Sequence, residues 1–265
     1  MTNDLLAEVK DGIATLTLNR PEARNALSME MRSALYDRLL EYERGDNVRC
    51  IIIRGAGEHF QAGGDVKSFS EMASLSPDER LKMFEKRIHT LTPTILTMLR
   101  MPKPIIASVR GGAAGFGLSL LLACDMVIAS EDAFVTLAYI GIGTSPDGGG
   151  TFMLPRVVGM KKAMEIAMLG DRFDAETAKD LGLINFVVPT DDLESETAKL
   201  AKRLANGPTV AIGRTKQLLN HSLQHSLEEQ LSLEAQGFAF CASSNDWAEG
   251  VTAFKEKRRP VYKGN

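Results

Sequence analysis

Ile105-Ile106-Ala107-Ser108-Val109-Arg110-Gly111-Gly112-Ala113-Ala114-Gly115-Phe116-Gly117-Leu118-Ser119-Leu120-Leu121-Leu122-Ala123-Cys124-Asp125-Met126-Val127-Ile128-Ala129 decides the fold of this chain. Two mainly apolar runs of strand length, Ile105 to Val109 and Asp125 to Ala129, bracket a helix expected from Gly115 to Cys124. Uninterrupted apolar strands are buried on both faces, and tight strand-helix-strand connections favour a parallel, layered α/β architecture. Upstream, Ala7-Glu8-Val9-Lys10 and Ala14-Thr15-Leu16-Thr17-Leu18 alternate around Asp11-Gly12, the signature of a β-hairpin. Ser28 is placed to cap a helix bearing Met31, Leu35 and Leu39, and Cys50-Ile51-Ile52-Ile53 reads as another buried strand. Beyond Asp192 the pattern turns helical: Leu193 to Leu204, Ala211 to Leu219, Leu227 to Phe240 and Trp247 to Lys257. The expected organisation is a core over residues 1–190 and a helical region over 191–265, divided at Pro189-Thr190-Asp191-Asp192.

The 265 residues, 44% hydrophobic and 25% charged, suffice to bury a sizeable core. A net charge of −3 and a pI near 5.9 give no electrostatic footprint for nucleic acid. Lys255-Glu256-Lys257-Arg258-Arg259 is a local cationic cluster, read as a solvated helix end or an anion contact. No apolar run approaches the ~20 residues that span a bilayer, and the start carries no leader pattern, so a cytoplasmic location without membrane partners is expected. Cys50, Cys124 and Cys241 are widely spaced and read as buried reduced thiols. His221 and His225 have the spacing of a helical metal pair but no third ligand, so no metal is expected.

The chain lacks a Gly-x-Ser-x-Gly elbow and a Gly-x-x-x-x-Gly-Lys-Ser/Thr loop, and its nearest Gly-x-Gly-x-x-Gly fails at Leu120, which argues against phosphoryl and dinucleotide chemistry. Two glycine turns stand out instead, Gln61-Ala62-Gly63-Gly64-Asp65 and Gly111 to Gly117, each between a strand and a helix. First-turn N–H groups at such junctions have no intrahelical partner. Two that converge make an oxyanion hole, worth roughly 10²- to 10³-fold per donor. The glycines serve tight helix-on-strand packing equally well, and the residues alone leave both readings open. A third glycine-rich stretch, Gly141 to Thr151, carries one carboxylate, Asp147, in a Pro-Asp-Gly turn.

Arg24-Asn25-Ala26-Leu27, Phe60-Gln61-Ala62-Gly63-Gly64-Asp65, Gly111 to Gly117, Pro146-Asp147-Gly148-Gly149-Gly150-Thr151, Gly170-Asp171-Arg172 and Phe254-Lys255-Glu256-Lys257-Arg258-Arg259-Pro260 together resemble the crotonase, or enoyl-CoA hydratase/isomerase, superfamily over nearly the whole chain. The resemblance implies a spiral of repeated β-β-α units, C-terminal helices that trimerise (a homotrimer or dimer of trimers), and an acyl-CoA thioester substrate with no cofactor beyond coenzyme A. It places the oxyanion donors at Gly64 and Phe116, the latter in place of a common glycine, and CoA contacts at Arg24, Ala26 and Ala62. Phe254 and Lys257 are implied to reach a neighbouring subunit's adenosine phosphate.

The two glutamates that hold water in hydratases correspond to Ser119 and a position at or beside Tyr139, and neither residue is a carboxylate base. Asp147 matches the acid of relatives that isomerise acyl-CoAs, and residues 145–156 are most similar to 1,2-epoxyphenylacetyl-CoA isomerase-like members. The expected activity is an acyl-CoA isomerase of enoyl or ring-epoxide type. Alternatives are an enoyl-CoA hydratase, a hydrolase like the 4-chlorobenzoyl-CoA dehalogenases, and a noncatalytic acyl-CoA-binding member. The dehalogenase base corresponds to a position near Thr92 rather than to His89, which reads as a helix-surface residue.

Overall fold

The structure, a computed structural model, describes residues 3–265. Its strands in chain order are β1 Leu5–Lys10, β2 Ile13–Leu18, β3 Cys50–Gly55, β4 Ile105–Val109, β5 Gly112–Ala114, β6 Met126–Ser130, β7 Phe134–Thr136, β8 Phe173–Asp174 and β9 Phe186–Val188. One sheet has six strands in the order β1-β2-β3-β4-β6-β9, and a second has three in the order β5-β7-β8. In the larger sheet only β1 and β2 run antiparallel; every other neighbouring pair is parallel. The β1–β2 turn falls on Asp11 and Gly12, both at positive φ (52° and 77°), as the tight hairpin turn requires.

The continuously apolar strands are explained by two packed faces. Ile51 and Ile53 of β3 join Ile105, Ala107 and Val109 of β4 in the larger core cluster, with Met31, Leu35 and Leu39 from the helix Met29–Arg44. Cys50, Ile52 and Ile106 point the other way, onto Leu193, Ala201 and Ala205 of the helix Leu193–Ala205. The strand period of two thus supplies both layers from one run of residues. Ser28 caps the first helix as expected, its side chain accepting from the Met31 N–H at 3.0 Å.

The β-β-α spiral is visible in successive turns of chain. β4 passes into β5 and the helix Phe116–Leu122, and β6 passes into β7. After β3 the chain reaches the second sheet only through a single bridge, Gln61 to Ala113, before entering the helix Val66–Ser70. No helix among the described residues is long and apolar enough to cross a membrane.

After Leu193–Ala205 the chain continues through the helices Thr209–His221, Leu227–Ala242 and Asn245–Lys255. The last ends at Lys255, because the chain turns to positive φ (55°) at Lys257. Leu219, Leu227, Leu231, Phe238, Trp247 and Phe254 remain exposed on these helices in the single chain. The first of the three helices is tied to the core by charge. Lys216 Nζ donates to Asp125 Oδ2 at 2.8 Å and to the Lys103 carbonyl at 3.0 Å, and Asp125 Oδ2 also accepts from the Ile105 N–H at 2.7 Å.

Removing one partner of a buried pair leaves the other charge desolvated and uncompensated. Lys216→Met is expected to destabilise the chain by about 3 kcal/mol in urea unfolding, and adding Asp125→Asn to restore part of that loss.

Candidate active site

The two glycine turns meet along a seam built by Gln61, which is fully buried. Its N–H donates to Gly112 O at 3.0 Å and its carbonyl accepts from the Ala114 N–H at 2.9 Å. Its carboxamide closes on its own loop, donating to Gly63 O at 2.9 Å and accepting from the Gly63 N–H at 2.7 Å. A β-carbon on Gly117 would lie 2.2 Å from the Gln61 carbonyl oxygen, so only glycine allows the helix Phe116–Leu122 to start this close. The loops are in contact next to the expected donors: a β-carbon on Gly63, the residue before Gly64, would be 3.6 Å from the Phe116 amide nitrogen. Neither the Gly64 nor the Phe116 N–H donates to a protein acceptor among the described residues. Both donors are free, and one is the first residue of a helix.

Asp147 sits beside this pair. Tyr139 Oη donates to Asp147 Oδ1 at 2.5 Å, and Ser119 Oγ donates to the Asp147 main-chain carbonyl at 2.8 Å. Ser119 is fully buried and lies one turn along the helix that begins at Phe116. The Phe116 ring presses on the turn, since a β-carbon on Gly148 would be 2.8 Å from it. Burial pushes the Asp147 carboxyl above the usual carboxylate range, against the opposing effects of the Tyr139 hydrogen bond and the Arg32 cation. Burial, with the Asp147 charge next, drives the Tyr139 phenol upward, so Tyr139 is a neutral donor at physiological pH.

A half-buried acid and two unpartnered main-chain donors thus lie around the helix that starts at Phe116. A family model described as enoyl-CoA hydratase/isomerase matches residues 8–265. The chain belongs to the enoyl-CoA hydratase/isomerase family. It is 39% identical over 264 residues to a 1,2-epoxyphenylacetyl-CoA isomerase from Escherichia coli K12, covering 100% of both chains. Its fold superposes with a TM-score of 0.91 on the crystal structure of an enoyl-CoA hydratase from Polaromonas sp. JS666, at 34% identity and covering 97% of this chain and 99% of that one. A crystal structure of an enoyl-CoA hydratase from Bacillus anthracis matches with a TM-score of 0.91 at 32% identity, covering 99% and 100%.

Three of the residues singled out by sequence in this family member lie beside one another. Arg24, Ala26 and Ala62 share one rim: Arg24 O accepts from the Ala62 N–H at 3.0 Å, and Ala26 O from Arg20 Nη1 at 2.9 Å. Asn25 pins that rim, donating to Ala56 O at 2.9 Å and His59 O at 2.7 Å. Phe254, 86% exposed, lies apart from the Asp147 site with Trp247, Val251 and Tyr262 along another groove, and Lys257 follows it on the surface. His89 is exposed on its helix, 4.0 Å from Glu85. His221 and His225 stack at 5.9 Å, and no cluster among the described residues offers three metal ligands. The three thiols are free; Cys50 is buried, its thiol pushed up to about 12, while Cys124 and Cys241 are partly exposed. Sequence reasoning missed the seam role of Gln61 and the buried Arg32, whose only signal is a cation beside the apolar positions of its helix.

Because the folded pKa of Asp147 is raised, its charge opposes folding above that raised value, and the penalty vanishes below the unfolded pKa of about 3.9. Asp147→Asn is therefore expected to melt at a higher temperature than the parent at pH 7, with the difference shrinking as the pH falls below about 4 in paired calorimetric scans.

Proposed function

We propose that this family member isomerises acyl-CoA thioesters by moving one proton between carbons of the acyl group. The observation that carries the reading is the fate of the two hydroxyls beside Asp147. Ser119 spends its proton on the Asp147 carbonyl and Tyr139 spends its proton on the carboxylate, which leaves Asp147 as the single basic group at the junction. Hydration needs a second group to hold and activate water, whereas a 1,3-proton shift needs one base that receives a proton and returns it.

In the proposed step Asp147 removes a proton from a carbon conjugated with the thioester. The C–H electron pair passes through the carbon framework to the thioester oxygen, where the Gly64 and Phe116 N–H groups hold the enolate. The carboxylic acid then returns the same proton at the other end of the three-carbon unit, so the double bond moves and no atom is gained or lost. Arg24, Ala26 and Ala62 are proposed to hold the CoA moiety, with Phe254 and Lys257 of a neighbouring copy in a trimer completing its phosphate site. Aspartyl-ester chemistry has less support, since His89 is solvent-exposed on its helix.

Parallel incubation with trans-3-hexenoyl-CoA, crotonyl-CoA and 4-chlorobenzoyl-CoA, followed by absorbance and chloride release, tests the reading. Conversion of the first alone is expected, and Asp147→Asn is expected to lower kcat by about 10²- to 10⁴-fold. Crotonyl-CoA hydration at a comparable rate overturns it. Tyr139→Phe removes a hydrogen bond that favours the ionised carboxylate, so the acid limb of the kcat/KM profile is expected to move to higher pH.

A further inference from the structure

Two side-chain atoms are buried without a hydrogen-bond partner among the described residues, Arg32 Nε and Thr94 Oγ1. Arg32 is 5% exposed and Thr94 1%. Their helices, Met29–Arg44 and Thr92–Arg100, pack on one another. Arg32 Nη1 donates to Thr90 Oγ1 at 2.6 Å and also to the Arg87 carbonyl, so that single nitrogen meets the structural task of holding the end of the preceding helix. Thr90 and Leu91 have right-handed helical backbone angles, which puts Thr94 one turn beyond Thr90 on the same face.

The helix Thr92–Arg100 borders the Asp147 turn. A β-carbon on Gly149, two residues from Asp147, would lie 3.6 Å from Ile95 Cγ2, and Arg32 is the cation that acts on the Asp147 carboxylate. On the other side Arg87 stacks over the Phe69 ring at 5.1 Å, and the same ring would be 2.7 Å from a β-carbon on Gly64. Phe69, Arg87 and Arg32 thus link the surroundings of the proposed oxyanion donor to those of the acid, with Thr94 buried on the helix that packs against that of Arg32. Neither arginine forms an ion pair among the described residues. A buried N–H and hydroxyl left unmatched cost their full desolvation, a cost that a bound acceptor removes.

We propose that Arg32 and Thr94 receive a hydrogen-bond-accepting oxygen carried by the acyl group beyond its reacting carbons, so that the substrates are oxygen-bearing acyl thioesters rather than plain hydrocarbon ones. This rests on the acyl-CoA reading of the Asp147 site. The acceptor is a neutral hydroxyl or carbonyl oxygen or a terminal carboxylate, which share the chemistry of accepting from Nε–H and Oγ–H.

Saturated thioesters separate binding from turnover. Titration calorimetry of the full chain with hexanoyl-CoA, 6-hydroxyhexanoyl-CoA and adipoyl-CoA is expected to show about tenfold or greater preference for at least one oxygenated ligand over hexanoyl-CoA. Thr94→Val and Arg32→Met are each expected to bring that ratio toward one. Preference for the hydroxy compound alone assigns a neutral acceptor, and preference for adipoyl-CoA alone a carboxylate. Equal affinity for all three in the parent, or a ratio unchanged in Thr94→Val, overturns the proposal while leaving the acyl-CoA reading intact. Failure of all three to bind removes that reading and the proposal with it. Should Arg32→Met not fold, Thr94→Val, which deletes one hydroxyl at nearly constant volume, decides the question.

Discussion

A single buried carboxamide, that of Gln61, holds two backbone loops at the separation on which the site depends. Its main chain pairs with the Gly112–Ala114 strand while its side chain bonds the Gly63 peptide on both sides, so the two turns cannot shift independently. The arrangement tolerates no β-carbon at Gly117, where the helix start and the Gln61 carbonyl nearly touch. The result is a pair of main-chain donors fixed before any ligand arrives. Donors already aimed at a developing charge need no reorganisation during the reaction, which is the reason such holes are built from backbone in packed loops. The same packing keeps other acceptors away, so the donors stay unsatisfied by the protein itself.

The helix Phe116–Leu122 carries the second constraint. Its first N–H belongs to the donor pair, and one turn later Ser119 fixes the Asp147 carbonyl. The Phe116 N–H at the helix start and the loop held by Ser119 one turn later are therefore tied to one short, buried helix, and helical rise contributes to their spacing. Placing Asp147 there opposes stability, since a carboxylate loses hydration that one phenol and a more distant guanidinium only partly replace. Folding free energy from the two-sided core offsets that local cost, as is common where a structure departs from its own stability optimum.

Much of the fold was legible in the residues because its signals are local. Asp11-Gly12 fixes a turn by backbone sign, Ser28 caps by reaching three residues ahead, and the apolar runs 50–53 and 105–109 announce strands with two covered faces. The β8 strand at Phe173–Asp174 and the β5 strand at Gly112–Ala114 are too short to carry a period, and they exist only because neighbours supply partners. The glycine turns and Asp147 were legible as unusual composition. Their convergence was not, because it depends on Gln61 bridging from one turn to a strand about fifty residues away. Arg32 was illegible for a different reason. A charged residue within a helix reads as surface, and only the packing of residues 87–94 over it makes it core.

The electrostatic layout also limits what Asp147 can do well. In the proposed step, the negative charge of Asp147 disappears as it takes the proton and an equivalent charge forms on the thioester oxygen near Gly64 and Phe116, so the net charge of the pocket is unchanged. A potential that is equal at the two positions cannot favour either state; only a difference in potential between the two ends counts. At the oxygen end the free N–H groups act on the enolate alone. At the acid end burial raises the basicity of the carboxylate, while Tyr139 lowers it by donating to the charged form. By stabilising the ionised form, Tyr139 opposes proton removal and by the same amount favours the return step over that of an unpaired acid. In exchange its hydrogen bond favours the ionised form against burial and restrains Oδ1, which in the proposed step leaves Oδ2 to face the C–H bond.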